Sequence, residues 1–141
     1  DKAKRDAAFK QQQEDARILR LYSSAHDAEL ARNRLFDTLE TSIGYNSLQL
    51  QRIKRLRANF VGDAALAERK SQTPTAKLKD QIAAYDKQIN DLQALIDYQR
   101  TEQTKVKNDF VPIIKRLTEL EKTPTATATA TQKSAFDVSP P

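Results

Sequence analysis

Residues 75–122 read TAKLKDQIAAYDKQINDLQALIDYQRTEQTKVKNDFVPIIKRLTELEK. Within them Leu78, Ile82, Tyr85, Ile89, Leu92, Ile96, Gln99, Gln103, Val106, Phe110, Ile113, Leu117 and Leu120 follow one another in alternating steps of four and three, with only the glutamines polar. An apolar period of 3.5 residues kept for about six heptads marks a helix that lies along a partner helix with left-handed supercoiling. At 1.5 Å per residue such a helix is roughly 70 Å long. Pro112 removes one helical hydrogen bond and disfavours helical geometry at Val111, so a kink is expected there. The period resumes in phase at Ile113, so the helix is expected to continue to about Glu121.

The same chain supplies a partner of matching length. Leu35, Leu39, Ile43, Asn46, Leu50, Ile53, Leu56 or Arg57, Phe60, Ala64 and Ala67 form a second seam inside a run of helix formers from about 25 to 70. Two arms, about 25–70 and 75–121, separated by the polar link Ser71-Gln72-Thr73-Pro74, predict an antiparallel hairpin. Thr73, with Pro74 at the first helical position, or Thr75 one step later, would cap the second arm. Gly44 and Gly62 each weaken the first arm by about 1 kcal/mol relative to alanine, and Gly62-Asp63 is a place where the helix could break. Asn46, Gln99 and Gln103 admit two readings, as polar contacts that fix register or as the sign of a locally open hairpin.

Around this hairpin (24–122) stand an N-terminal helix (1–23) and a tail (123–141). The first helix has a weak apolar stripe before Ile18, and Ser24 with Asp27 three residues on gives a capping signal for the next. The tail alternates threonine and alanine after Pro124, a composition too poor in apolar side chains to build a core. Phe136 and Val138 are its expected anchors on a partner. The fold class is thus all-α, a long antiparallel coiled-coil hairpin with an added helix and an extended tail.

Composition supports this and narrows the function. The 141 residues include two glycines, no tryptophan and 6% aromatics, and the mean hydropathy is −0.73. Such a chain favours helix and a thin core. Basic and acidic residues number six and four in 1–24, eight and six in 25–74, nine and eight in 75–122, and one and one in 123–141. The net charge of +5 is therefore spread along the chain, which disfavours nucleic acid as a partner. No run approaches the eighteen apolar residues of a membrane span, although peripheral envelope association stays open. Starting at Asp1, the chain is expected to be a processed mature protein or a fragment.

The chemistry-bearing residues are few. His26 is the single histidine, and cysteine is absent. The two glycines are too far apart for a phosphate-binding loop. No metal, cofactor or catalytic residue is therefore expected, and the protein reads as non-enzymatic. Asp86 with Asp91, and Glu119 with Glu121, read as solvated salt-bridging faces. Arg52, Lys54, Arg55 and Arg57 are the sharpest charge cluster and the candidate anion contacts of a rival reading, a basic protein binding nucleic acid or an anionic envelope polymer. A helix spreads them around its axis.

The stretch Leu-Arg-Leu-Tyr-Ser-Ser-Ala-His-Asp-Ala-Glu-Leu-Ala-Arg-Asn-Arg at 19–34, with Ala64-Ala65-Leu66-Ala67-Glu68-Arg69, Pro74, Leu78, Asp80, Ile82, Phe110 and Arg116-Leu117-Thr118-Glu119-Leu120, resembles the helical region of a family of small proteobacterial envelope proteins of unknown function. The resemblance spans about 16–121 and implies a periplasmic, signal-processed helical hairpin. The reading is a scaffold or accessory subunit that binds protein partners, as a homo- or hetero-oligomer. Leu39, Ile43, Leu50, Ile53 and Phe60 would meet Leu78, Ile82, Ile89, Leu92, Ile96, Phe110, Leu117 and Leu120 in the seam. Leu48, Leu95 and Ile114 fall outside it and are expected to be covered by a partner.

Overall fold

A computed structural model of the chain describes residues 1–123. They form three helices, α1 (Lys2–Leu21), α2 (Ala25–Arg69) and α3 (Ala76–Lys122). α2 and α3 run antiparallel as the hairpin. The tail after Thr123, with Phe136 and Val138, lies outside the described residues.

The helix ends follow local chemistry. Asp1 caps α1, its carboxylate accepting from the Ala3 amide. Ser24 caps α2, its Oγ accepting from the Asp27 amide at 3.1 Å, while the Asp27 carboxylate takes the Ser23 hydroxyl instead of closing the box. Of the two caps expected for α3, Thr75 is the one used, its Oγ1 accepting from the Leu78 amide at 3.2 Å. α2 ends in a Schellman motif: the Gln72 amide donates to the Ala67 carbonyl at 2.8 Å and the Ser71 amide to that of Glu68 at 2.9 Å. Ser71 takes a left-handed φ of 57° to make this turn.

α2 is unbroken at Gly62-Asp63, and α3 continues through Pro112 to Lys122. Both arms bury enough of one stripe to outweigh these local penalties.

The chain divides into two units, Leu35–Lys105 on one hand and Asp1–Arg34 with Val106–Pro141 on the other. The Leu35–Lys105 unit is a two-helix hairpin. Ile43, Leu50 and Ile96 are buried, with Ile89 and Leu92 packed against them. Leu39, Ile53, Phe60, Leu78 and Ile82 are half-buried along the same line. Phe60 and Tyr85 stack with ring centroids 5.5 Å apart. Leu35 departs from the expected seam: it is half exposed, and Phe36 beside it is the half-buried residue. Phe36 lies seven residues before Ile43, so it keeps the heptad where Leu35 breaks it.

The other unit is a three-helix cluster. Ile18 of α1, Ala25 and Ala28 of α2, and Phe110 and Leu117 of α3 are buried together. The two alanines let the helices approach closely, and Tyr22 meets Phe110 at a centroid distance of 5.5 Å. Ile114 corrects the sequence expectation, for it packs half-buried against this cluster instead of awaiting a partner. Here a third helix covers α3. Leu120 is half-buried as expected. Asp15 grips Arg116 with two hydrogen bonds, 2.8 and 2.9 Å, and Glu121 accepts from the Ala25 amide at 2.8 Å. No residue of α1 before Asp15 is even half-buried.

Candidate interaction surface

The seam of the Leu35–Lys105 unit carries a polar layer, and it is closed. Asn46 donates from Nδ2 to Gln99 Oε1 at 3.0 Å, and Gln99 donates from Nε2 to Ser42 Oγ at 2.7 Å. Gln103 donates to Glu40 Oε2 at 2.6 Å and, more weakly, to the Phe36 carbonyl at 3.4 Å. Asn46 and Gln103 are buried, and among the described residues no buried side-chain nitrogen or oxygen lacks a partner. A shift of one heptad would break these bonds, so of the two readings the register-fixing one fits the geometry.

The heptad also sorts what lies outside the seam. Let Ile43, Leu50, Ile96 and Gln103 occupy position a, and Leu39, Asn46, Leu92 and Gln99 position d. In an antiparallel pair the g and c positions of both helices fall on one side and the e and b positions on the other. The exposed large hydrophobics of this unit are Leu35, Tyr45, Leu48, Val61, Leu66, Leu95 and Tyr98. Leu35 and Leu95 are at g, and Tyr45, Leu66 and Tyr98 at c. Only Val61 (e) and Leu48 (f) lie elsewhere. Tyr45, Leu95 and Tyr98 are 63%, 42% and 61% exposed. Tyr45 lies twelve residues before Arg57 and Tyr98 twelve after Asp86, which are ion-paired across the hairpin, so the two tyrosines are level. The opposite side carries Glu40, Lys54, Glu68, Lys79, Asp86 and Arg100.

Leu95 is thus exposed as the sequence led us to expect, but its neighbours Tyr45 and Tyr98 were missed. Their signal was present, since both are two residues after an a position. The 3.5-residue period defines the seam by itself, whereas which outer positions share a side depends on the direction in which the two arms pair.

The basic cluster does not assemble. Arg52 is at c, Lys54 at e, Arg55 at f and Arg57 at a, four different directions. Arg57 is ion-paired with Asp86 across the hairpin. Asp91 lies within 3.9 Å of Lys87, an exposed pair of little energetic weight. A shallow hollow of about 470 Å³ lined by Phe60, Thr75, Lys77, Leu78 and Gln81 sits where the arms join. It gathers no catalytic set. Among the described residues no three His, Asp or Glu side chains are grouped to hold a metal ion, and no helix is long and apolar enough to cross a membrane.

Four titrating groups are shifted, Glu14 and Arg17 by the bond between them on the exposed face of α1, and Asp15 and Arg116 by theirs across the three-helix cluster. The hydrogen bonds from Arg116 hold the Asp15 carboxyl below its ordinary range against the opposing effect of burial, with Gln11 adding a further bond. Arg116 is raised in turn, chiefly by Asp15 and then by Glu119. The paired charges explain both shifts as a fastening of α1 to α3.

The chain matches no protein-family model, no curated protein and no solved structure.

Proposed function

We propose that the protein is a non-enzymatic scaffold or accessory subunit that binds other protein surfaces through its helical hairpin, in the periplasm of a bacterial envelope. The observation that carries this reading is the one-sided exposure of Tyr45, Leu95 and Tyr98 on a hairpin whose seam is already filled. Side chains of this size, gathered on one side and backed by a register-fixed pair of helices, have the make-up of an interface centre. The compartment rests on the resemblance across 16–121.

The test is purification of the native protein from its source envelope in mild salt, with mass spectrometry and sizing of what co-elutes. A stoichiometric protein complex is expected, and it should be lost in a Leu95→Lys, Tyr98→Lys variant whose helical circular dichroism is unchanged. Recovery of the same complex with that variant would rule out the proposed surface.

A further inference from the structure

The g/c side of the Leu35–Lys105 hairpin carries a charge pattern that selects its occupant. Besides Tyr45, Leu95 and Tyr98 it presents Arg52 and Asp63 on α2 and Lys77, Asp91, Glu102 and Lys105 on α3. Arg57 and Asp86, which are ion-paired, fix the local pairing of the two arms. Arg52 is five residues before the first and Asp91 five after the second, so Arg52 and Asp91 stand level on opposite arms. Neither has a strong partner of its own: Asp91 is 69% exposed beside Lys87, and Arg52 is exposed.

We infer that the occupant is a second copy of this chain, seated with its two-fold axis along the hairpin so that each α2 lies against the other copy's α3. Every neighbouring helix is then antiparallel, the arrangement of a four-helix bundle. This axis preserves level. It sets Tyr45 of one copy against Leu95 and Tyr98 of the other, and Arg52 of each against Asp91 of the other, twice over. The alternative axis, across the hairpin, reverses level about the midpoint of Leu95 and Tyr98. Asp91 and Glu102 stand four residues outside that pair, one on each side, so the alternative would place them against each other. Like charges at an interface oppose association, and complementary ones set its register. The doubled Arg52–Asp91 contact, unopposed by any like charge at its level, therefore favours the axis that the tyrosines and Leu95 also allow, whereas across the other axis Lys105, one turn from Glu102, is the only cation near the facing Asp91 and Glu102. This inference rests on the reading that the hairpin's apolar side binds protein, and it names the partner.

Sedimentation equilibrium of the full chain tests it, using charge reversals that keep every seam residue. The wild type is expected to be a dimer at micromolar concentration. Arg52→Glu alone and Asp91→Arg alone should each raise the dissociation constant about tenfold or more, because each turns two attractive contacts repulsive. An equimolar mixture of the two single variants should recover wild-type affinity as a heterodimer, since both contacts become attractive again. A dimer indifferent to both reversals, or a mixture that fails to recover, would overturn the arrangement. A monomeric wild type at about 100 μM would overturn the self-association as a whole, whether the side is then open or covered by residues 124–141. The wider reading is judged separately: with a monomeric wild type, release of a co-eluting protein by Leu95→Lys with Tyr98→Lys would keep this side as a protein-binding surface, and retention of that protein would remove both readings.

Discussion

Ser71 adopts φ 57° at the position of a Schellman turn where glycine is the usual occupant. A side chain in that conformation meets its own carbonyl, which costs about 1 kcal/mol or somewhat more. Ser71→Gly is therefore expected to stabilise the hairpin by about 1 kcal/mol in urea denaturation, and a destabilised variant would show that the turn is made differently. Asp15 offers a second residue-specific test. Its folded carboxyl titrates below the ordinary 3.8 because Arg116 holds the charged form. The contribution is therefore complete above pH 3.8 and is lost as pH falls through the lower folded value. The NMR signals of the Ile18 methyls and the Tyr22 ring should move as the pH is lowered below 3.8. In Asp15→Asn they should already sit near their acid positions and stay still; equal titration in both proteins would exclude this fastening.

Each arm is a single helix because its stripe outweighs its local faults. Gly44 and Gly62 sit inside α2, and a Cβ added at either meets nothing within 4 Å. Gly44→Ala and Gly62→Ala should each raise stability by about 0.5–1 kcal/mol, read from the shift of the denaturation midpoint. No gain at Gly62 would point to a break there. The polar layer acts between the arms. Asn46→Ala leaves Gln99 Oε1 without its donor and should cost about 1–2 kcal/mol. Replacing Asn46 and Gln99 together by leucine should recover that stability while loosening register, visible as doubled NMR signals at Ile43 and Leu50. A single sharp set of signals in the double variant would assign register to the apolar seam alone. The second arm was legible in the sequence from Leu78 to Leu120 because one period governs it throughout, and no member of that seam is fully exposed. At the first arm the period failed at Leu35, where a neighbouring leucine looked as good as Phe36.

The chain's two units solve the burial problem differently. The cluster of Ile18, Ala25, Ala28, Phe110 and Leu117 gains a third helix. Nothing in the spacing of α3 announced that α1 would cover Ile114, because that contact depends on tertiary packing and on the Asp15–Arg116 pair between residues 101 apart in sequence. The Leu35–Lys105 hairpin has only its two helices. Its exposed apolar side followed from the heptad once the antiparallel pairing was known, whereas the charged cluster at Arg52–Arg57 disperses around the helix, as helical geometry alone already implied. Fold class was readable from periodicity, then, while the surface required the pairing of the arms.

The central claim is that the Tyr45, Leu95 and Tyr98 side of the hairpin meets protein in the cell. It is tested most directly by placing a photo-cross-linking residue at position 95 and, in a second strain, at position 97, an exposed b position on the opposite side. The account predicts discrete protein adducts from position 95 and none from position 97. No adduct from 95, or equal adducts from both, would contradict it.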